Sequence, residues 1–166
     1  DDETVRFGLP FEMVRSGLEE AARRAGIRVR GYADMTPDEI ADRTGLPPGD
    51  AALAADRRHS ETFLVLDGDG DSLRPHLHVL GLTLVRGSRF LTVQGRHDKG
   101  TAVPVVAART GATRTFAVGD AGNDEGMLRA VDVGMLVRSH DGSHVEMEVP
   151  GLVRLDGVGP EGWVEA

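Results

Sequence analysis

Apolar residues recur at helical spacing from Phe11 through Val14, Leu18, Ala21 and Ala25, with Pro10 ahead of them and Gly26 behind. That pattern predicts one amphipathic helix, entered at a proline and stopped by a glycine. Residues 27–32 then alternate in the manner of a strand. Thr36-Pro37-Asp38-Glu39 is a capping box with proline at the first helical position, which predicts a short helix reaching Thr44. Pro47 and Pro48 open another, reaching about Arg58. Residues 62–66 form a short apolar run with strand character, and Ser72 is placed to cap a helix bearing Leu73, Leu77 and Leu80. Residues 82–86 and 90–93 read as two strands joined at Gly87-Ser88, a favourable hairpin turn. Residues 10–95 therefore predict a small α/β module with a mainly antiparallel sheet.

After Gly95 the pattern changes. A helix is expected over 98–109, a strand over 115–118, a loop rich in Gly and Asp, a short helix over 124–130 and a strand over 133–137. Strand-helix alternation of this kind marks a parallel, doubly wound sheet. About three strands fit in the space, too few for a complete sheet of that type, so the second half reads as part of a larger core.

Composition narrows the function. Hydrophobic residues make up 40% and charged residues 28% of the 166, the mix of a folded globular chain. A formal net charge of -8 argues against a nucleic-acid partner, which needs clustered Lys and Arg. No apolar run approaches the roughly 20 residues that cross a bilayer, so no membrane partner is expected. The absence of cysteine excludes thiol chemistry and thiolate metal sites, and fits a cytoplasmic location.

The stretch richest in chemistry is Phe116-Ala-Val-Gly-Asp120-Ala-Gly-Asn123-Asp124. An apolar strand ends in a turn carrying two carboxylates and an amide, and ligands of open α/β sheets sit beyond the carboxyl ends of strands. Hard oxygen donors suit Mg²⁺, which takes one or two carboxylates plus phosphate and water. The same residues also serve as an ordinary helix cap and turn, and both readings stand at this point. In Gly95-Arg96-His97-Asp98-Lys99-Gly100, Asp98 caps the next helix and Lys99 falls in its first turn. A cation there opposes the helix dipole unless an anion binds, in which case ammonium and backbone N–H groups converge on it. Taken alone, Lys99 reads rather as a solvated surface residue. Pro104 conflicts with a regular helix over this stretch unless the helix starts nearer Thr101.

Together, Lys99 and a Gly-Asp-x-x-Asn-Asp loop beginning 20 residues later resemble the third and fourth motifs of the haloacid dehalogenase superfamily. Gly31-Tyr-Ala-Asp-Met-Thr36, Arg57-Arg-His-Ser-Glu61-Thr, Gly87-Ser-Arg89-Phe, His97-Asp-Lys-Gly100 and Gly159-Pro-Glu-Gly-Trp163 follow the order seen in mannosyl-3-phosphoglycerate phosphatases, a type IIB cap subgroup, over essentially the whole chain. Ala33 stands where that family has Gly, and His59-Ser60 where it has Tyr-Asp. The resemblance implies an α/β fold: the C-terminal part of a three-layer Rossmannoid core over 96–166, an inserted cap over 10–95, and a hinge over 1–9. It implies a Mg²⁺-dependent phosphatase forming an aspartyl-phosphate on the way to mannosylglycerate, a compatible solute. Asp120, Asn123 and Asp124 would serve the metal, Lys99 the phosphoryl charge, and Arg57, Glu61 and Arg89 the small sugar-phosphate substrate. Glucosyl-3-phosphoglycerate and sucrose phosphate are rival substrates, and a non-catalytic binding or regulatory role is the rival class.

Such enzymes open with an apolar strand and Asp-x-Asp-Gly-Thr, which supplies nucleophile and general acid. This chain has no such opening, so the other half of the core is expected from elsewhere and the chain alone should be inactive. Leu64-Val-Leu-Asp67-Gly-Asp69-Gly-Asp71 imitates it, but only 32 positions separate Asp67 from Lys99, too few for a second core strand and a cap. A polar cap turn is the expectation there. Ser72 and His78 occupy the Gly and Glu positions of a calcium loop, which excludes that alternative. His76, His78 and His97 lack the spacing of a zinc set.

Overall fold

The computed structural model describes residues 4–87 and 90–166. The chain divides into two compact units, Asp1–Arg96 and His97–Ala166.

In the first unit, α1 (Phe11–Ala25) begins after Pro10 and ends where Gly26 turns left-handed, with φ 70°. Besides two 3-10 turns, β1 (Arg28–Gly31), α2 (Pro37–Thr44), α3 (Pro48–Ala55), β2 (Ser60–Asp67) and α4 (Arg74–Val79) precede the last hairpin. β3 (Leu82–Arg86) and β4 (Leu91–Gly95) complete an antiparallel sheet of order β1-β2-β4-β3. Strand alternation sends neighbouring residues of β2 to opposite faces. Phe63 joins Val14, Leu18, Leu77, Leu84, Leu91 and Val93 in one core, whereas Leu64 packs on Tyr32, Met35, Ile40 and Ala51 in another. The capping box of α2 is formed: Thr36 Oγ1 accepts the Glu39 amide, and Glu39 reaches back to the Thr36 amide at 2.9 Å.

Two expectations shift here. α3 stops at Ala55 rather than Arg58, because Asp56 leaves helical geometry. The turn before α4 is capped by Asp69, which accepts the Asp71 amide at 3.0 Å; Ser72 lies inside that turn, donating its hydroxyl to the Asp69 carbonyl. Asp67 ends an antiparallel strand, paired with Arg28. The Ser88 half of the expected hairpin turn lies outside the described residues, while the Gly87 amide donates to the Phe90 carbonyl at 2.9 Å.

In the second unit, α5 (Lys99–Thr110) leads to β5 (Phe116–Gly119), α6 (Glu125–Ala130) and β6 (Val133–Arg138). β7 (Val153–Val158) and α7 (Pro160–Glu165) follow, two elements to which the sequence reading gave no bounds. The sheet is parallel, in the order β5-β6-β7. Leu128 and Leu136 are at its centre, with Met127, Met147, Val149 and Leu152 packed around them. Residues 134–137 of β6 are buried, as a central parallel strand requires. α5 starts at Lys99 despite Pro104, which costs the Gly100 carbonyl its helical partner. Among the described residues, no helix is long and apolar enough to cross a membrane.

Candidate functional site

The candidate site lies at the carboxyl end of β5, within the second unit. Asp98 caps α5 by accepting the Thr101 amide at 2.9 Å, which puts Lys99 at the first helical position. Its Nζ lies 2.5 Å from Asp124 Oδ1. The other oxygen of Asp124 accepts the amides of Asp120 and Ala121, at 3.1 and 3.2 Å. Asp124 is 4% exposed and is thus a buried carboxylate with three donors, binding the Lys99 helix and the Asp120 turn together. Two close backbone approaches permit this. A Cβ on Gly119 would collide with Asp124, and one on Gly100 would overlap the Gly126 carbonyl, where the first turns of α5 and α6 touch.

The Asp120 and Asn123 side chains are exposed, and among the described residues they make no hydrogen bond or ion pair. Asp120 thus offers a free hard-oxygen donor above the sheet, while both oxygens of Asp124 are engaged. No group of three or more His, Asp or Glu converges among the described residues. One free carboxylate beside a neutral amide suits Mg²⁺, which completes its shell with water and phosphate, and is a poor match for zinc. Ser139, which the sequence reading passed over, donates its hydroxyl to the Asp120 carbonyl at 3.3 Å. It follows β6 as Asp120 follows β5, and a parallel sheet places both on one edge.

Burial acts to raise the Asp124 pKa, but the Lys99 hydrogen bond and the amides of Asp120 and Ala121 outweigh it, leaving the pKa below the ordinary value. A carboxylate depressed in the folded state stabilises at pH above its unfolded value of about 3.9, and that contribution is lost as pH falls through the folded value. Lys99→Met removes part of the depression, so acid unfolding followed by circular dichroism should begin at higher pH than in the wild type. In an Asp124→Asn background the same substitution should leave the acid transition unmoved.

The expected substrate residues belong to the first unit. Arg57 is exposed, with its Nε donating to the Ala54 carbonyl at 3.1 Å and its Nη1 to Ser60 Oγ at 3.2 Å. Glu61 is buried, and its Oε1 accepts the Ala33 amide at 3.3 Å. Arg89 lies outside the described residues.

No protein-family model matches the chain. It superposes on a phosphatase of the haloalkanoate dehalogenase enzyme superfamily from Bacteroides thetaiotaomicron with a TM-score of 0.59, at 21% identity over 88% of this chain and 59% of the other. A subclass IIB sugar phosphatase of the same superfamily gives 0.51, at 16% identity over 83% and 57%. At such low identity both likenesses show a shared fold, which in this chain is a parallel α/β unit and a separate antiparallel unit. Among named relatives, it is 30% identical over 169 aligned residues to a glucosyl-3-phosphoglycerate/mannosyl-3-phosphoglycerate phosphatase of Methanococcoides burtonii, covering 98% of this chain and 62% of that protein. It is 34% identical over 138 residues to a mannosyl-3-phosphoglycerate phosphatase of Pyrococcus horikoshii, covering 81% and 55%. The chain thus spans between half and two thirds of the length of these relatives.

Proposed function

We propose that this chain supplies the cap and the lysine- and metal-bearing part of the core of a phosphatase that removes phosphate from mannosyl-3-phosphoglycerate, leaving mannosylglycerate. The observation that carries this reading is the Lys99–Asp124 pair beside the uncommitted Asp120 carboxylate, above the carboxyl end of a parallel strand. Lys99 is the only lysine in a chain with 18 arginines. A compact ammonium is the choice for a point charge on phosphate, where the planar guanidinium fork asks for a different geometry.

In this reading Asp124 acts indirectly. It aims the ammonium and fixes the Asp120 amide, so that charge and carboxylate face one phosphoryl group without rearrangement. Asp120, with Asn123 beside it, would hold Mg²⁺, which when bound neutralises phosphoryl oxygens. In this reading the attacking Asp, which would form the aspartyl-phosphate, and the general acid would have to be supplied from outside residues 1–166. Residues 10–95 would serve as cap, with substrate-binding roles for Arg57 and Arg89. A glucosyl substrate is the second reading, because two relatives are named for both sugars.

The test is phosphate release by the full-length protein across several sugar phosphates. Lys99→Met should depress turnover of all of them in similar proportion, since the phosphoryl group is common to them; a loss confined to one sugar would make Lys99 a specificity residue. The 166-residue chain by itself should release none. Turnover by it that vanished with Asp67→Asn would overturn the assignment of Asp67 to a cap strand, and inactivity of the full-length protein on every phosphate would favour a binding role.

A further inference from the structure

The first unit contains a buried carboxylate that the phosphatase reading does not use directly. Glu61 lies near the start of β2, opposite Val93, and is 2% exposed. Its Oε1 accepts the Ala33 amide at 3.3 Å, and the Tyr32 amide acts on the same carboxylate. These amides belong to the 3-10 turn Tyr32–Asp34. The residue before that turn is Gly31, which has no side chain to cap it. Asp34 meets part of the need from within, its Oδ2 taking the Gly31 amide at 3.1 Å while its Oδ1 pairs with Arg15 at 2.5 Å. Glu61 meets the rest from another strand. The absence of a side chain at Gly31 is what admits it, because a Cβ there would overlap the Glu61 carboxyl.

The turn carries Tyr32, whose ring stands edge-on to Phe90 at 5.3 Å between centroids. Arg57 is near enough for its charge to act on the Tyr32 phenol, and Arg57 is itself tied to Ser60, the neighbour of Glu61. The first two residues of β2 thus hold two separate segments, 31–34 and 54–57.

We propose that Glu61 is a positioning residue: its buried carboxylate caps the turn at residues 31–34 from across the sheet and so fixes Tyr32 against Phe90 beside Arg57. It contacts backbone amides, so it acts on the cap surface without touching substrate. Burial raises its pKa, against the opposing effects of the Ala33 amide and Arg15, and Asp34 adds to the rise. A side-chain carbonyl of the same shape can accept the Ala33 amide in its place. Only the consequence for substrate rests on the phosphatase reading.

Tyr32 is the sole tyrosine, so tyrosinate absorbance reports this turn alone. Burial raises its pKa, against a lowering influence from Arg57. Glu61→Gln keeps an acceptor for Ala33 and should leave the Tyr32 titration where it is. Glu61→Leu keeps the packing and orphans the amide, so the titration should fall toward the ordinary value of about 10. A Leu variant titrating like the wild type, or a Gln variant shifting as far as Leu, overturns the proposal. Should the Leu variant fail to fold, melting temperatures decide. Gly31→Ala should lower the melting temperature in the wild type and lose that effect when combined with Glu61→Ala, while additive losses overturn the proposal. In the full-length protein, Glu61→Leu should raise KM for mannosyl-3-phosphoglycerate several-fold with kcat held. An unchanged KM would limit Glu61 to structure. No turnover in the wild type would sink the phosphatase reading and leave the titration result standing.

Discussion

Asp120→Asn should lower kcat of the full-length protein by at least about 10²-fold, the scale of losing one preorganised electrostatic group at a phosphoryl centre. The same substitution should leave the melting temperature within about a degree of the wild type. The structure separates the two effects. The Asp120 side chain is exposed and bonds to no described residue, so replacing one oxygen by nitrogen orphans nothing. Its backbone is fixed by Asp124 and Ser139, which the substitution does not touch. The amide oxygen that remains is neutral and a weaker ligand for a hard cation than a carboxylate, so saturating Mg²⁺ should not restore the full rate. Rates equal to the wild type would remove Asp120 from the site. Lost rate together with a lower melting temperature would mean that the carboxylate serves the fold.

Phe63→Ala should destabilise the first unit by about 3–5 kcal/mol, the usual cost of emptying an aromatic position in a core. Phe63 is 0% exposed, and it is the strand residue on which α1, α4 and β4 converge through Val14, Leu77 and Leu91. Against a total stability of about 5–15 kcal/mol for an ordinary domain, such a loss leaves little margin. Denaturant unfolding followed by tyrosine fluorescence would read it, because Tyr32 is in the same unit. A cost under about 1 kcal/mol would mean that the sheet and α1 do not share one core.

What could be read from sequence was mostly what is encoded locally. The ends of α1 and α2 were legible because their signals lie within the helix and its caps: Gly26, Thr36, Glu39 and Gly45. β7 was not, since half of Val153-Arg-Leu-Asp-Gly-Val is exposed and a helix-free loop separates it from β6. Its strand character comes from pairing with Met135 and Leu136, a non-local fact. The site shows the same division. Lys99, Asp120 and Asp124 stood out only together, through the motifs they resemble, and their contact across 25 positions depends on two glycines meeting. The lone lysine was a compositional clue in plain view. For Glu61 the sequence suggested only a substrate role, because nothing near it in sequence shows that Gly31 leaves a space for its carboxyl.

The seating of Gly100 on Gly126 has a thermal consequence. Most catalytic side chains are placed by other side chains, whose rotamers multiply as temperature rises. Here α5 and α6 meet backbone to backbone, and a peptide group has no rotamers to populate. The spacing of the Lys99 stem from the Asp124 stem should therefore change little on warming, up to the point where the unit melts as a whole. Backbone disorder at this junction then has no gradual onset: α5 and α6 stay seated until the unit melts.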